Sequence, residues 1–119
     1  MMDQQAAHAF TKEWISAWNS HDLDRILSHY TDDFIMESPI ALKRLPETAG
    51  VVKGKEAVRA YWKMGLELNP TLHFKLHEVL VGVNSITMYY VNTTTGKNTA
   101  EVLLLNEEGK AYHGFAHYN

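Results

Sequence analysis

Residues 54–82 read GKEAVRAYWKMGLELNPTLHFKLHEVLVG, and the hydrophobic period changes partway through this run. Before Pro70, the residues Ala57, Val58, Tyr61, Trp62 and Leu66 recur at three- and four-residue steps, so they share one stripe of a helix from Gly54 to about Leu68. Asn69-Pro70 ends it, because proline disfavours helical backbone at the residue before it. Beyond Pro70 the apolar residues follow the two-residue alternation of strands. One such switch, with helical spacing before it and strand spacing after it, predicts an α+β fold.

Working back toward the N-terminus, Phe10, Trp14, Ala17 and Trp18 place an amphipathic helix over Gln4–Asn19, with Asp3 as its cap. Asn19 and Ser20 break it. Asp22 caps a second, short helix in which Leu23, Ile26, Leu27 and Tyr30 share a face, and the two helices form a hairpin. Phe34-Ile-Met-Glu-Ser38 reads as a short strand stopped by Pro39, with Phe34, Met36 and Ser38 on one side. Residues 39–53 have no clean period and read as a long loop with at most a helical turn, of the kind that often covers a site. Asp22, Asp24, Asp32 and Asp33 fall at helix boundaries, where capping accounts for them.

Working forward, four strands are expected at 72–82, 85–94, 98–106 and 110–118, joined by short turns and therefore antiparallel. In Ile86–Val91 and Val102–Leu105 both alternation classes are apolar. One sheet face needs the helices. The other needs a partner, and a second copy of the chain, packed face to face as a homodimer, is the simplest.

The chain has 119 residues, 45% hydrophobic and 21% charged, which suits a single domain over residues 1–119. Its formal charge is −3 and its basic residues are scattered, which argues against nucleic acid as a partner. There is no cysteine, so disulfides, thiolate metal sites and Cys nucleophiles are excluded. No apolar run approaches the roughly 20 residues of a membrane span, and no signal peptide is visible, so a cytoplasmic location is expected. His73/His77 and His113/His117 are each four apart, but on strands such pairs stand about 13 Å apart, too far to share a metal ion. His113 and His117 belong on the outer sheet face. Gly54-Lys55-Glu56 lacks the upstream glycines of a phosphate loop and is explained as a helix start.

Trp14-x3-Trp18-Asn19, His21-Asp-Leu-Asp24, Tyr30-Thr-Asp-Asp-Phe34, Glu37-Ser-Pro39 and Gly54-x-Glu56-Ala57-x3-Tyr61-Trp62 occur in an order that resembles the nuclear transport factor 2-like superfamily. The likeness is to its ketosteroid isomerase-like and polyketide cyclase (SnoaL-like) branch. What the resemblance implies is a cone-shaped roll, a curved antiparallel sheet wrapped around three helices, with a mostly apolar cavity at the open end and dimers through the outer sheet face. It also implies small-molecule chemistry of a cofactor-free kind, although this fold carries many activities and some members have none.

Ketosteroid isomerases place a carboxylate base just before the strand-ending proline, where this chain has Ser38, and an oxyanion-binding tyrosine where it has Trp14. A serine hydroxyl is a far weaker proton acceptor and an indole N–H a far weaker acid, so the steroid isomerase reaction is disfavoured. The third position of that family, a protonated Asp, aligns with Glu101. Alternation puts Glu101 on the face of Leu103 and Leu105, and a carboxyl among Trp14, Trp62 and Tyr90 would have a raised pKa and could donate a proton. The expected site is therefore Glu101 as proton carrier, with Trp14, Tyr30, Met36, Ser38, Trp62, Tyr90, Leu103 and Tyr112 as the wall that holds an apolar organic molecule. Phe34 and Trp18 are assigned to the core, and Glu37 to the surface. Two functions stay open: an isomerase, cyclase or dehydratase working without a cofactor, or a ligand-binding or dimerisation module without a reaction.

Overall fold

The computed structural model describes residues 2–119. Helix α1 spans Gln4–Asn19 and buries Ala7, Thr11, Trp14, Ala17 and Trp18, one stripe at the expected spacing. Asp3 caps it by accepting the Ala6 N–H at 2.8 Å. His21, in left-handed backbone with φ 55°, turns the chain into α2 (Leu23–Leu27), whose cap is Asp22. Strand β1 follows at Tyr30–Glu37. It begins four residues earlier than the sequence suggests, so Tyr30 lies on a strand and not on the helix face. Asp32 and Asp33 are tolerated inside β1 because the ladder is irregular between Tyr30 and Ile35, and both side chains point to solvent.

The segment 39–53 is not a loop. Pro39 ends β1 and at the same time opens helix α3 (Pro39–Arg44), since proline at the first helical position gives up an N–H that would have no partner. Ser38 caps this helix, its Oγ accepting the N–H of Ile40 at 3.1 Å and of Ala41 at 3.4 Å. A 3₁₀ turn at Pro46–Thr48 and a short strand β2 (Val51–Lys53) complete the segment. Helix α4 covers Lys55–Leu68, within the span read from its periodicity.

The remaining strands are β3 (Phe74–Val81), β4 (Ser85–Asn92), β5 (Asn98–Leu105) and β6 (Ala111–Tyr118). All six strands form one curved open sheet in the order β2-β1-β6-β5-β4-β3. Its pairs are antiparallel except β1 with β6, which run parallel. The expected wholly antiparallel sheet is corrected on that point: β6 returns to β1 after the whole intervening chain, a connection long enough to bring two strands side by side in the same direction.

Helices α1 and α4 cover the inner face, where Val79, Ile86, Met88, Tyr90, Thr99, Glu101, Leu103 and Ala116 are buried. Gly114 also faces inward where space is tight: a Cβ there would stand 2.9 Å from Leu103 Cδ2 and 3.0 Å from Phe34 Cζ, so either side chain would have to shift to admit it. The opposite face carries Tyr89, Val102, Leu104 and Phe115, all at least partly exposed. Among the described residues no helix is long and apolar enough to cross a membrane.

Candidate functional site

Glu101 sits in the middle of β5, opposite Met88 on β4 and Ala116 on β6, with its side chain on the covered face and only 7% exposed. Strand geometry brings two tyrosines beside it. Tyr90 and Tyr118 both pair with Thr99, two residues along β5, and so lie diagonal to Glu101 from either side. The Tyr90 hydroxyl donates to Glu101 Oε1 at 2.9 Å. Burial pushes the Glu101 carboxyl up to about 7, against the Tyr90 hydrogen bond, which favours the charged form. Near neutrality the group can therefore give or take a proton. Burial, reinforced by the neighbouring Glu101 charge, holds Tyr90 and Tyr118 well above the ordinary phenol value, so both stay neutral donors.

A hollow of about 100 Å³ lies against Glu101. Its apolar wall includes Trp14, Trp18, Trp62, Met36 and Phe74, and its polar groups are Ser38, Arg44, Tyr61, Tyr90 and Tyr118 besides Glu101. All three tryptophans of the chain line it. They are locked by ring contacts: Trp14 stacks on Phe74 with centroids 5.9 Å apart, and Trp18 meets Trp62 edge-on at 5.1 Å. Asn19 fixes Phe74 by a double hydrogen bond, accepting its N–H at 2.7 Å and donating to its carbonyl at 3.0 Å. The Trp18 indole N–H has no acceptor among the described residues. A second chamber of about 290 Å³ shares Ile40, Arg44, Phe74, Tyr90 and Tyr118 with the first and reaches the surface between α3 and the β4–β5 turn.

Of the residues singled out from sequence, Glu101, Trp14, Met36, Ser38, Trp62 and Tyr90 meet at the hollow. Three do not. Tyr30 is 1% exposed and stands behind the wall, its hydroxyl accepting the Trp14 N–H at 2.7 Å. Leu103 is fully buried and packs over Gly114. Tyr112 is on the outside and 43% exposed, which corrects its assignment to the cavity wall. The pairing jumps from Leu104 opposite His113 to Leu105 opposite Ala111, so Tyr112 is the extra residue of a bulge and Ala111 takes the inward position.

Five wall residues that bring a ring or a charge to the hollow escaped the sequence reading: Trp18, Arg44, Tyr61, Phe74 and Tyr118. Tyr118 shares the alternation class of Gly114 and Ala116, a signal that was there to use. Tyr61 and Phe74 looked like ordinary core positions of a helix and a strand, and Trp18 was assigned to the core. Arg44 had no signal, because nothing in the period of 39–53 marks α3. Ser38 and Trp14 are both spent on structure, the one as a helix cap and the other on Tyr30. Glu37 is half-exposed and bonded to His113 at 2.9 Å on the outer side, as its alternation class predicts. Among the described residues no group of three or more His, Asp or Glu side chains is placed to hold a metal ion.

The chain belongs to the SnoaL-like domain family, whose model matches residues 11–118. A SnoaL-like protein of unknown function from Burkholderia thailandensis is 41% identical over 99% of this chain and 98% of its own, with a TM-score of 0.95. More distant structures share the fold. The epoxide hydrolase/cyclase-like enzyme SalBIII, of pyran ring formation in the polyether salinomycin, is 18% identical over 100% of this chain and 95% of its own, at a TM-score of 0.75. RV0760c from Mycobacterium tuberculosis is 19% identical over the same shares, at 0.74. No curated protein matches the chain.

Proposed function

We propose that the chain binds a largely apolar small molecule in the hollow beside Glu101 and moves a proton on it without a cofactor. The observation that carries this reading is one carboxyl, poised near neutrality, in a wall otherwise built of three tryptophans, Phe74 and tyrosines. Neutral Glu101 donates to a basic atom of the substrate as a bond isomerises, a ring closes or water leaves. The carboxylate left behind is held by the Tyr90 hydroxyl until a proton returns. Pyran ring formation, the process in which SalBIII takes part, is chemistry of this type.

A second reading, binding without reaction, is favoured by Ser38 and Trp14, which occupy the positions of an acid–base pair in related isomerases but are engaged in capping and in the bond to Tyr30. One experiment separates the two. The protein is incubated with a metabolite extract, and bound and free molecules are compared by mass spectrometry with Glu101→Gln. A catalyst converts its ligand and the variant does not; a binder returns the ligand unchanged from both. Retention of no small molecule by either protein would overturn both readings.

We also propose a homodimer through the outer sheet face, supported by the partly exposed Tyr89, Val102, Leu104 and Phe115.

A further inference from the structure

Glu101 is the one carboxylate in the walls of the two chambers, whereas Lys43, Arg44 and Lys97 contribute three cations. In a chain of formal charge −3 this is a local reversal of sign. The cations come from opposite sides of the opening. Lys43 and Arg44 end α3, and Lys97 lies on the β4–β5 turn.

Arg44 differs from the other two arginines. Arg25 is paired with Glu13 at 2.6 Å and Arg59 with Asp24 at 2.8 Å, while Arg44 has no carboxylate partner among the described residues. It is half-buried and belongs to the walls of both chambers. Room for it is built into α4: a Cβ on Gly65 would stand 3.3 Å from Arg44 Nη1. Glycine inside a helix is less favourable than alanine, so this slot comes at a cost to α4. A planar guanidinium held without a counter-ion at the neck of a pocket is suited to a carboxylate, which it can engage with two parallel hydrogen bonds.

We infer that the ligand is an amphipathic organic acid, its carboxylate held by Arg44 with Lys43 and Lys97 alongside, and its apolar body turned inward toward the tryptophans and Glu101. This inference rests on the binding reading above and narrows it to a substrate class. Two fixed points, an anion at Arg44 and a proton carrier at Glu101, also orient the molecule between them.

The test uses 4-phenylbutyrate and its neutral amide, 4-phenylbutyramide, followed by tryptophan fluorescence excited at 295 nm, since every tryptophan of the chain lines the hollow. The acid is expected to bind about tenfold more tightly than the amide, and 0.5 M NaCl is expected to weaken the acid alone. Arg44→Met should bring the two ligands within about threefold, while Arg44→Lys, which keeps the charge but not the two parallel hydrogen bonds, should give a preference between that of Met and that of the parent. Circular dichroism checks that the variants are folded. Should Arg44→Met not fold, the double substitution of the exposed Lys43 and Lys97 by Met decides, with a reduced preference expected. Equal affinity for acid and amide in the unaltered protein, or a preference undiminished in the folded variants, overturns the inference and leaves the binding reading intact. Binding of neither probe overturns the inference and counts against the binding reading as well.

Discussion

Tyr90 on β4 donates its hydroxyl to Glu101 Oε1 on β5 across 2.9 Å, and the bond runs diagonally over the covered face of the sheet. A carboxyl so deeply buried would otherwise resist ionising more strongly. The bond lets both protonation states persist near neutrality.

The pH dependence of stability follows from Glu101. Its carboxyl is raised from an ordinary 4.5 to about 7, so the folded state binds the proton more tightly than the unfolded chain. This contribution to stability is fully present below pH 4.5 and is lost as the pH rises through about 7. The gap amounts to about 3 kcal/mol. Urea unfolding of the protein and of Glu101→Gln at pH 5 and pH 8 isolates it: the variant should gain on the parent as pH rises. A difference that stays constant between these pH values would rule out the raised carboxyl.

Removing the Tyr90 hydroxyl acts on the same group. Tyr90→Phe takes away the donor that favours the carboxylate, so the Glu101 midpoint should move further up, as read by carbon NMR of its carboxyl. The lost buried hydrogen bond should cost about 1 kcal/mol of stability. A midpoint that falls or stays put contradicts the assignment.

Gly114 is favoured by packing and not by backbone conformation. Gly114→Ala would drive a methyl into Leu103 and Phe34, and such overpacking typically costs about 1–3 kcal/mol. Chemical denaturation measures it. A variant as stable as the parent would mean that the Phe34 ring can retreat.

Asn19 ties the end of α1 to the start of β3 through both hydrogen bonds to Phe74. Asn19→Ala leaves that backbone pair without partners and should cost about 1–3 kcal/mol. Because Phe74 lines the hollow, it should also shift the tryptophan emission, which a change confined to the surface would leave alone.

The outer face gives an association test. Val102 pairs with Thr87 and Phe115 in the middle of that face. Sedimentation at micromolar concentration is expected to report a dimer, and Val102→Lys a monomer. A monomeric parent protein removes the proposed dimer.

What the sequence alone determined is whatever follows from period and local chemistry. The stripe of α1, the cap at Asp22 and the span of α4 come from side chains repeating at 3.6 residues and from local capping chemistry written along the chain. Alternation groups Glu101 with Leu103 and Leu105, but both faces of that strand are apolar, so only the packing of the helices decided that this face is the covered one. Local rules also mark Pro39 as a stop. That it also starts α3, with Ser38 as cap and Arg44 delivered to the neck of the pocket, depends on how the 39–53 segment closes over the open end of the sheet. Tertiary structure likewise decided the parallel pairing of β1 with β6, the bulge that sends Tyr112 outward, and the meeting of Tyr90, Tyr118 and Glu101. These depend on the register between strands far apart in the chain, and a bulge of one residue reverses every alternation beyond it without leaving a mark in composition or spacing.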